Sequence, residues 1–323
     1  MCLGIGGCGK TTFVRQMKVL HNIPWEEAEL ERYASTIRRV FTLAQIDIVW
    51  AAKKLNLEFS EESKGLIEKL NELHKDREKS GLSPDSLPLL KSLWEDPISQ
   101  EIVKKHPEMI GAIHISYFWQ NVDRIIKDDY KPLEEDILRV RIRTAGAYST
   151  VICIEKNYFE FFDVGGQKPE RSKWEKVLQS HEFSCILFFV ACDEWDVMDE
   201  EKEYNYSKLE IGKIIFNEVL ESNDVPEDIP IILFMNRSDM FQARFEKDES
   251  WESYKTTYPD YKGERNYKDG INHIIKIFLD DAPKRKHPVR HYITNSLDKN
   301  SMAPVWKAVK EFVMQKAINA VGI

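Results

Sequence analysis

Gly4-Ile5-Gly6-Gly7-Cys8-Gly9-Lys10-Thr11 is the stretch on which the reading of this chain depends. It fits G-x-x-x-x-G-K-[ST], a loop whose glycines let several backbone N–H groups converge on phosphate oxygens. Gly6, Gly7, Cys8, Gly9 and Thr12 would line the phosphates, with Lys10 reaching the β- and γ-phosphates. The Thr11 hydroxyl would bind Mg2+. The following helix adds the positive end of its dipole. Taken alone, the pattern also fits a glycine-rich turn. Such a loop normally follows a β-strand, yet only Met1-Cys2-Leu3 precede it. The expectation is a stub strand, or a chain that lacks its beginning.

The chain has 323 residues and a formal net charge of −8. Its length suggests about two domains of roughly 150 residues, and the acidic balance gives no support for bulk nucleic-acid binding. Five cysteines in odd number, without a C-x-x-C pair, predict no disulfide framework and no zinc site. Cys153 and Cys185 lie in apolar runs and are expected to be small buried hydrophobes. The basic run Lys284-Arg285-Lys286-His287 reads as a solvated loop. No stretch is long and apolar enough to cross a membrane, and position 2 is not the glycine that myristoylation needs.

Phe13, Val14, Met17 and Leu20 share one side of a helix over residues 11–21. Leu30, Tyr33, Ile37, Phe41, Ala44, Ile48 and Ala51 continue a three-and-four spacing through residues 25–56. Helical pieces follow to about residue 128. Near residue 140 the character changes. Residues 150–154 and 158–162 read as a hairpin joined by Glu155-Lys156-Asn157. Residues 185–190 and 231–235 are apolar on both faces, as strands of a covered parallel sheet are. Residues 291–293 form a shorter run. Helices are predicted at about 200–221 and 268–280, and Val305, Trp306, Val309, Phe312 and Val313 mark a last one. The alternation predicts an α/β fold with an all-helical insertion.

Three further motifs carry chemistry. Asp163-Val164-Gly165-Gly166-Gln167 follows an apolar strand: Asp163 can hold a Mg2+ shell, Gly166 can offer its N–H to a γ-phosphate, and Gln167 can orient a water. Asn236-Arg237-Ser238-Asp239 resembles the N-K-x-D guanine-reading motif. Asp239 would accept two hydrogen bonds from guanine, which adenine cannot supply. Asn236 would brace the loops, and the flat guanidinium of Arg237 can cover a base. In Arg139-Val140-Arg141-Ile142-Arg143-Thr144, alternate arginines fit a solvated edge strand. They also lie where the insertion rejoins the sheet, and an arginine there can stabilise a transferring phosphoryl group.

With all four motifs in this order, the chain resembles the α subunits of heterotrimeric G proteins over essentially its whole length. Asp136-Ile137-Leu138-Arg139-Val140-Arg141-Ile142-Arg143-Thr144-Ala145-Gly146 is similar to the family's switch I. Asp163-Val164-Gly165-Gly166-Gln167-Lys168-Pro169-Glu170-Arg171-Ser172-Lys173-Trp174 is similar to its switch II, with Pro169 stiffening the start of the helix. The resemblance implies a Ras-like GTPase domain over 1–24 and 138–323. This would hold a mostly parallel six-stranded sheet with helices on both faces and a truncated first strand. An α-helical domain would cover 25–137. It implies GTP and GDP as bound nucleotides with Mg2+ held by Thr11, Thr144 and, through water, Asp163. Arg141 and Gln167 would be catalytic, and Gly166 would sense the γ-phosphate. Leu138, Arg139 and Val140 would lie along the ribose, and Asn236, Arg237, Asp239 and Asn295 around the guanine. Implied partners are a βγ dimer, a seven-helix receptor, RGS-type activators of hydrolysis and an effector. The implied location is the inner face of the plasma membrane, with no lipidation site visible. Residues 320–323 stand where the family's receptor-reading tail lies.

Four departures bear on function. Gly7 stands where the family usually has a glutamate that pairs with the switch arginine, and Cys8 replaces a serine. Ile113 replaces an aspartate that reaches toward the nucleotide-binding domain, and Ile293-Thr294-Asn295-Ser296 replaces T-C-A-T. Looser clamping and faster GDP release are therefore expected. A nucleotide-dependent binding module without turnover is the alternative, separated by GTP hydrolysis. An ATPase or kinase is a third reading, opposed by Asn236-Arg237-Ser238-Asp239.

Overall fold

The computed structural model describes residues 1–75, 80–198, 205–280 and 282–321, with side chains of the last helix described to Gln315. The strands are β1 (Cys2–Leu3), β2 (Ala147–Ile154), β3 (Asn157–Val164), β4 (Ile186–Ala191), β5 (Ile231–Asn236) and β6 (Arg290–Ile293). They form one sheet in the order β2-β3-β1-β4-β5-β6, parallel except for the β2–β3 hairpin. Every residue of β4 and β5 is buried, which requires cover on both faces of the sheet.

Contacts divide the chain into two compact units, Met1–Ile23 with Arg143–Ile323, and Pro24–Ile142. In the first, β1 is a two-residue strand in the middle of the sheet. Cys2 lies opposite Asp163 on β3 and Leu187 on β4, and Leu3 lies opposite Phe188. The Met1 nitrogen donates to the Cys185 carbonyl at 3.0 Å, which lengthens the pairing. The stub puts Gly4 at the C-terminal edge of the sheet, where successive connections leave in opposite directions. Ligands of open α/β sheets bind at this point.

The hairpin turn is tighter than expected. Asn157 pairs with Ile154, so the turn is Glu155-Lys156 alone, with φ of 51° and 67°. Two positive φ values match the twist of the flanking strands better than an ordinary turn does. Cys153 is exposed, contrary to the expectation, while Cys185 is buried. Only one face of β2 is covered at this sheet edge. Ile152 and Ile154 therefore point inward, and Val151 and Cys153 outward. Arg285 also departs from its expected solvated setting. It donates to the carbonyls of Leu220, Val225 and Pro226, tying a helix end to the next loop.

The phosphate-loop helix spans Lys10–Leu20. Phe13 and Met17 are fully buried, and Phe13 meets the rings of Phe161, Phe189, Phe234 and Trp306. Later helices run Lys208–Glu221 and Tyr267–Leu279; the predicted helical residues 200–204 lie outside the described residues. The last helix, Lys299–Val321, begins before Pro304 and carries it inside. Gly322 and Ile323, the end of the expected receptor-reading tail, lie outside the described residues.

The second unit is built on the helix Glu27–Leu55, opened by a capping box between Glu26 and Glu29. Its residues Ile37, Phe41, Ala44, Ile48 and Ala51 are fully buried, as their spacing requires. Asp136 is fully buried and accepts from Arg124, Tyr117, Tyr130 and the Leu133 N–H. Burial alone would raise its pKa, but these donors outweigh it and hold the carboxyl below its ordinary value. The alternate-arginine stretch is no edge strand: a helix spans Glu134–Arg139, and irregular backbone follows to Gly146.

Candidate functional site

Backbone geometry decides the phosphate loop. Gly7 and Gly9 have φ of 86° and 102°, values that side-chain-bearing residues seldom adopt. Lys10 is buried. Its ammonium donates to the carbonyls of Gly4 at 2.7 Å and Ile5 at 2.9 Å, with the Cys8 thiol 3.7 Å away. These contacts fix a cation against the loop, at the N-terminus of the helix Lys10–Leu20. The Cys8 thiol, enclosed by the loop, is pushed up by burial.

Three oxygen-bearing side chains meet next to the lysine. The Thr11 hydroxyl lies 2.8 Å from that of Thr144 and donates to Asp163 Oδ2 at 2.6 Å; Thr144 reaches the same oxygen at 3.4 Å. Asp163 stands on β3 opposite Cys2, which is why it arrives at the loop's mouth. Its Oδ1 is buried without a hydrogen-bond partner among the described residues. Burial raises its pKa, against hydrogen bonding from Thr11 and the nearby Lys10 and Arg15. Two hydroxyls and one carboxylate, whose second oxygen is the orphaned one, make a hard-oxygen set of the kind that suits Mg2+.

Gly166 and Gln167 follow on the next turn. A Cβ on Gly166 would lie 2.3 Å from the Gly4 carbonyl and 2.4 Å from the Lys10 ammonium, so only glycine fits. The Gln167 side chain lies over Gly6, where an added Cβ would be 2.3 Å from its amide nitrogen. Gln167 also precedes the short helix Lys168–Arg171, which contains Pro169 in its first turn. Trp174 donates to the Gly165 carbonyl at 2.8 Å. Glu170 accepts from the Gly146 N–H, which joins the two expected switch segments.

On the far side of the loop, Asn236 is almost fully buried at the end of β5. Its amide nitrogen donates to the Cys8 carbonyl at 2.8 Å. Its oxygen accepts from the Thr294 hydroxyl, the Ser296 N–H and the Ser296 hydroxyl. It thus ties the phosphate loop to residues 294–296. Asp239 is exposed in the first turn of the helix Ser238–Phe245. The Asn295 side chain accepts from the Leu297 N–H and shapes the adjoining loop.

Compared with known families, residues 1–313 match the one described as G-alpha, the G-protein alpha subunit. The chain belongs to that family. It is therefore a guanine-nucleotide-binding signalling protein, and the six-stranded Ras-like sheet with an inserted helical unit is the fold of this G-alpha chain. Among the described residues, no helix is long and apolar enough to cross a membrane.

In this G-alpha chain Leu138, Arg139, Val140 and Arg141 are described with the helical unit. Val140 joins its apolar core, Leu138 is buried, and Arg139 lies over the Tyr117 ring. Arg141 donates to the Gly111 carbonyl at 3.2 Å. Thr12 follows Thr11 in the first turn of the phosphate-loop helix. Sequence reading missed the residues that engage Arg237. Its guanidinium donates to Asp193 at 2.6 Å and Glu194 at 2.8 Å. Adjacent acids directly after β4 were the available signal, but nothing in one dimension joins them to an arginine after β5.

Proposed function

We propose that this α subunit binds GTP and GDP with Mg2+ and hydrolyses GTP, alternating between two states that carry receptor signals to effectors. The observation that carries the reading is the convergence of Thr11, Thr144 and Asp163 beside Lys10, with Gln167 laid over the same loop. Thr11 and Thr144 would ligate Mg2+ directly, and Asp163 through water. The ion would offset charge on the β- and γ-phosphate oxygens. Lys10 and the N–H groups of residues 6–12 would hold the phosphates. The Gln167 amide would orient the attacking water, and the Arg141 guanidinium would stabilise charge on the transferring group. The Gly166 N–H would sense the γ-phosphate. Asp239 would read guanine N1 and N2, the Asn295 N–H would serve O6, and Asn236 would brace these loops. Backbone at 138–140 would line the ribose.

Loss of the γ-phosphate would release Thr144 and Gly166 together, which is the difference a partner reads. A βγ dimer, a seven-helix receptor, an RGS-type activator and an effector at the inner face of the plasma membrane are the proposed partners. Gly7 supports a variant of this reading in which GDP leaves quickly, because no side chain there can pair with the switch arginine. Single-turnover GTP hydrolysis tests the proposal. Wild type should hydrolyse at least tenfold faster than Arg141→Cys or Gln167→Leu, on the order of one lost transition-state contact. Equal rates would leave a binding module.

A further inference from the structure

Arg237 occupies the position between Asn236, which braces the phosphate loop, and the turn that carries Asp239. Its own backbone is left-handed, with φ of 60° and ψ of 36°, an arrangement that a β-carbon resists. Something must hold it there. The guanidinium forks onto two carboxylates at the end of β4. One Nη donates to Asp193 Oδ2 at 2.6 Å and the other to Glu194 Oε1 at 2.8 Å. Both acids are almost fully buried. The same Nη that meets Asp193 touches the Met240 sulfur at 3.5 Å. The Arg237 carbonyl accepts from the Phe241 N–H and so starts the helix Ser238–Phe245.

The far end of that helix is fixed to the same place. One Arg244 Nη donates to the Asp193 carbonyl and the other is shared between both Asp196 oxygens at 2.7 and 2.9 Å, with the guanidinium 4.3 Å from the Trp195 ring centroid. Ser253 also donates to Asp196. The helix bearing Asp239 is therefore pinned at both termini to residues 193–196. An arginine supplies two directional bonds where a lysine would supply a point charge, so the arginine and its two acids work as a unit.

We infer that Asp193 and Glu194 are specificity-determining positioning residues: they lock Arg237, and through it the first turn that aims Asp239 at the base. Arg237 acts as the tether of the base-reading turn and leaves the base itself to other groups. The inference rests on the guanine-nucleotide reading of the site. Asp239 can discriminate only if its two oxygens are held against the N1–H and N2–H donors. A loosened turn lets the carboxylate drift and accept one bond or find water.

The test compares GTP with ITP, whose hypoxanthine lacks the 2-amino group and so offers Asp239 one donor fewer. Equilibrium affinities for both are measured on the full chain for wild type, Asp193→Asn, Glu194→Gln, Arg237→Met and the double variant Asp193→Asn/Arg237→Met. Asp193→Asn keeps shape and packing; Glu194→Gln serves if it does not fold. The GTP-over-ITP affinity ratio should fall about fivefold or more in each carboxylate variant, on the order of one weakened charge-assisted hydrogen bond. The double variant should fall no further than Arg237→Met alone, since the partners act together. A merely structural role would weaken GTP and ITP alike and leave the ratio where it was. An unchanged ratio, or losses that add, overturns the inference. A wild-type chain that binds neither nucleotide overturns the functional reading first, and the two failures are thereby distinct.

Discussion

Replacing Asn236 by alanine should destabilise the protein by about 2–6 kcal/mol. The side chain is almost fully buried and takes part in four hydrogen bonds, one to the Cys8 carbonyl and three from residues 294–296. Alanine removes every partner at once. The Thr294 and Ser296 hydroxyls can turn elsewhere, but the Cys8 carbonyl and the Ser296 N–H are fixed by the backbone. Each buried backbone group left unsatisfied costs about 1–3 kcal/mol. Asn236→Asp separates the two directions of the strut. The aspartate still accepts from all three donors of residues 294–296, but it loses the donor to Cys8 and sets a carboxylate oxygen against that carbonyl. Its stability loss should be at least as large as that of alanine, because a buried carboxylate facing a carbonyl is costlier than an unpaired carbonyl, and GDP release accelerates because the strained end is the phosphate loop. Urea unfolding at one fixed GDP concentration reads the first effect, since bound ligand adds its own stabilisation. Release of a fluorescent GDP analogue reads the second. An Asn236→Ala unfolding free energy within about 1 kcal/mol of wild type would refute the accounting of buried groups. Unaltered GDP release in Asn236→Asp would refute the strut.

Gly166→Ala should block the response to the γ-phosphate, because its Cβ would meet the Gly4 carbonyl at 2.3 Å and the Lys10 ammonium at 2.4 Å. The buried Trp174, bonded to the Gly165 carbonyl, reports this by fluorescence; a wild-type-like change on exchanging GDP for a non-hydrolysable GTP analogue would count against it. Gly7→Glu should slow GDP release by giving the switch arginine a partner. The positive φ of 86° works against it by about 1 kcal/mol, and release as fast as wild type would remove Gly7 as the cause. Pro304→Ala should stabilise the last helix, by up to about 3 kcal/mol, because the proline is exposed and denies the Asn300 carbonyl its partner four residues on. Thermal denaturation checks it, and an unchanged midpoint would show that the helix bends there at no cost.

Much of the architecture was legible because it rests on local pattern. The unbroken apolar runs of β4 and β5 require two covered faces, and the spacing from Leu30 to Ala51 requires a helix. Where expectation failed, the cause lay across the sheet. Cys153 looked buried by its neighbours, but its strand is the edge of the hairpin, and pairing register alone decides which alternate residues face out. Arg285 sat in a basic run, yet three carbonyls 59 to 65 residues away in sequence capture it.

The candidate site divides the same way. Glycines at 4 to 9, Lys10 and the ordered motifs at 163, 236 and 239 declare themselves in one dimension, because phosphate and guanine recognition demand particular residue types at fixed short spacings. Their meeting does not. Thr11 reaches Asp163 across 152 positions, and Asn236 reaches Cys8 across 228, because β1 is seated between β3 and β4 and parallel neighbours end at the same edge. The pairing of Arg237 with Asp193 and Glu194 was set entirely at that level. Sequence determined which groups this chain carries and which segments are helix or strand. The tertiary structure decided which groups are neutralised, orphaned or clamped, since hydrogen bonds and burial depend on distances that only the packed sheet creates.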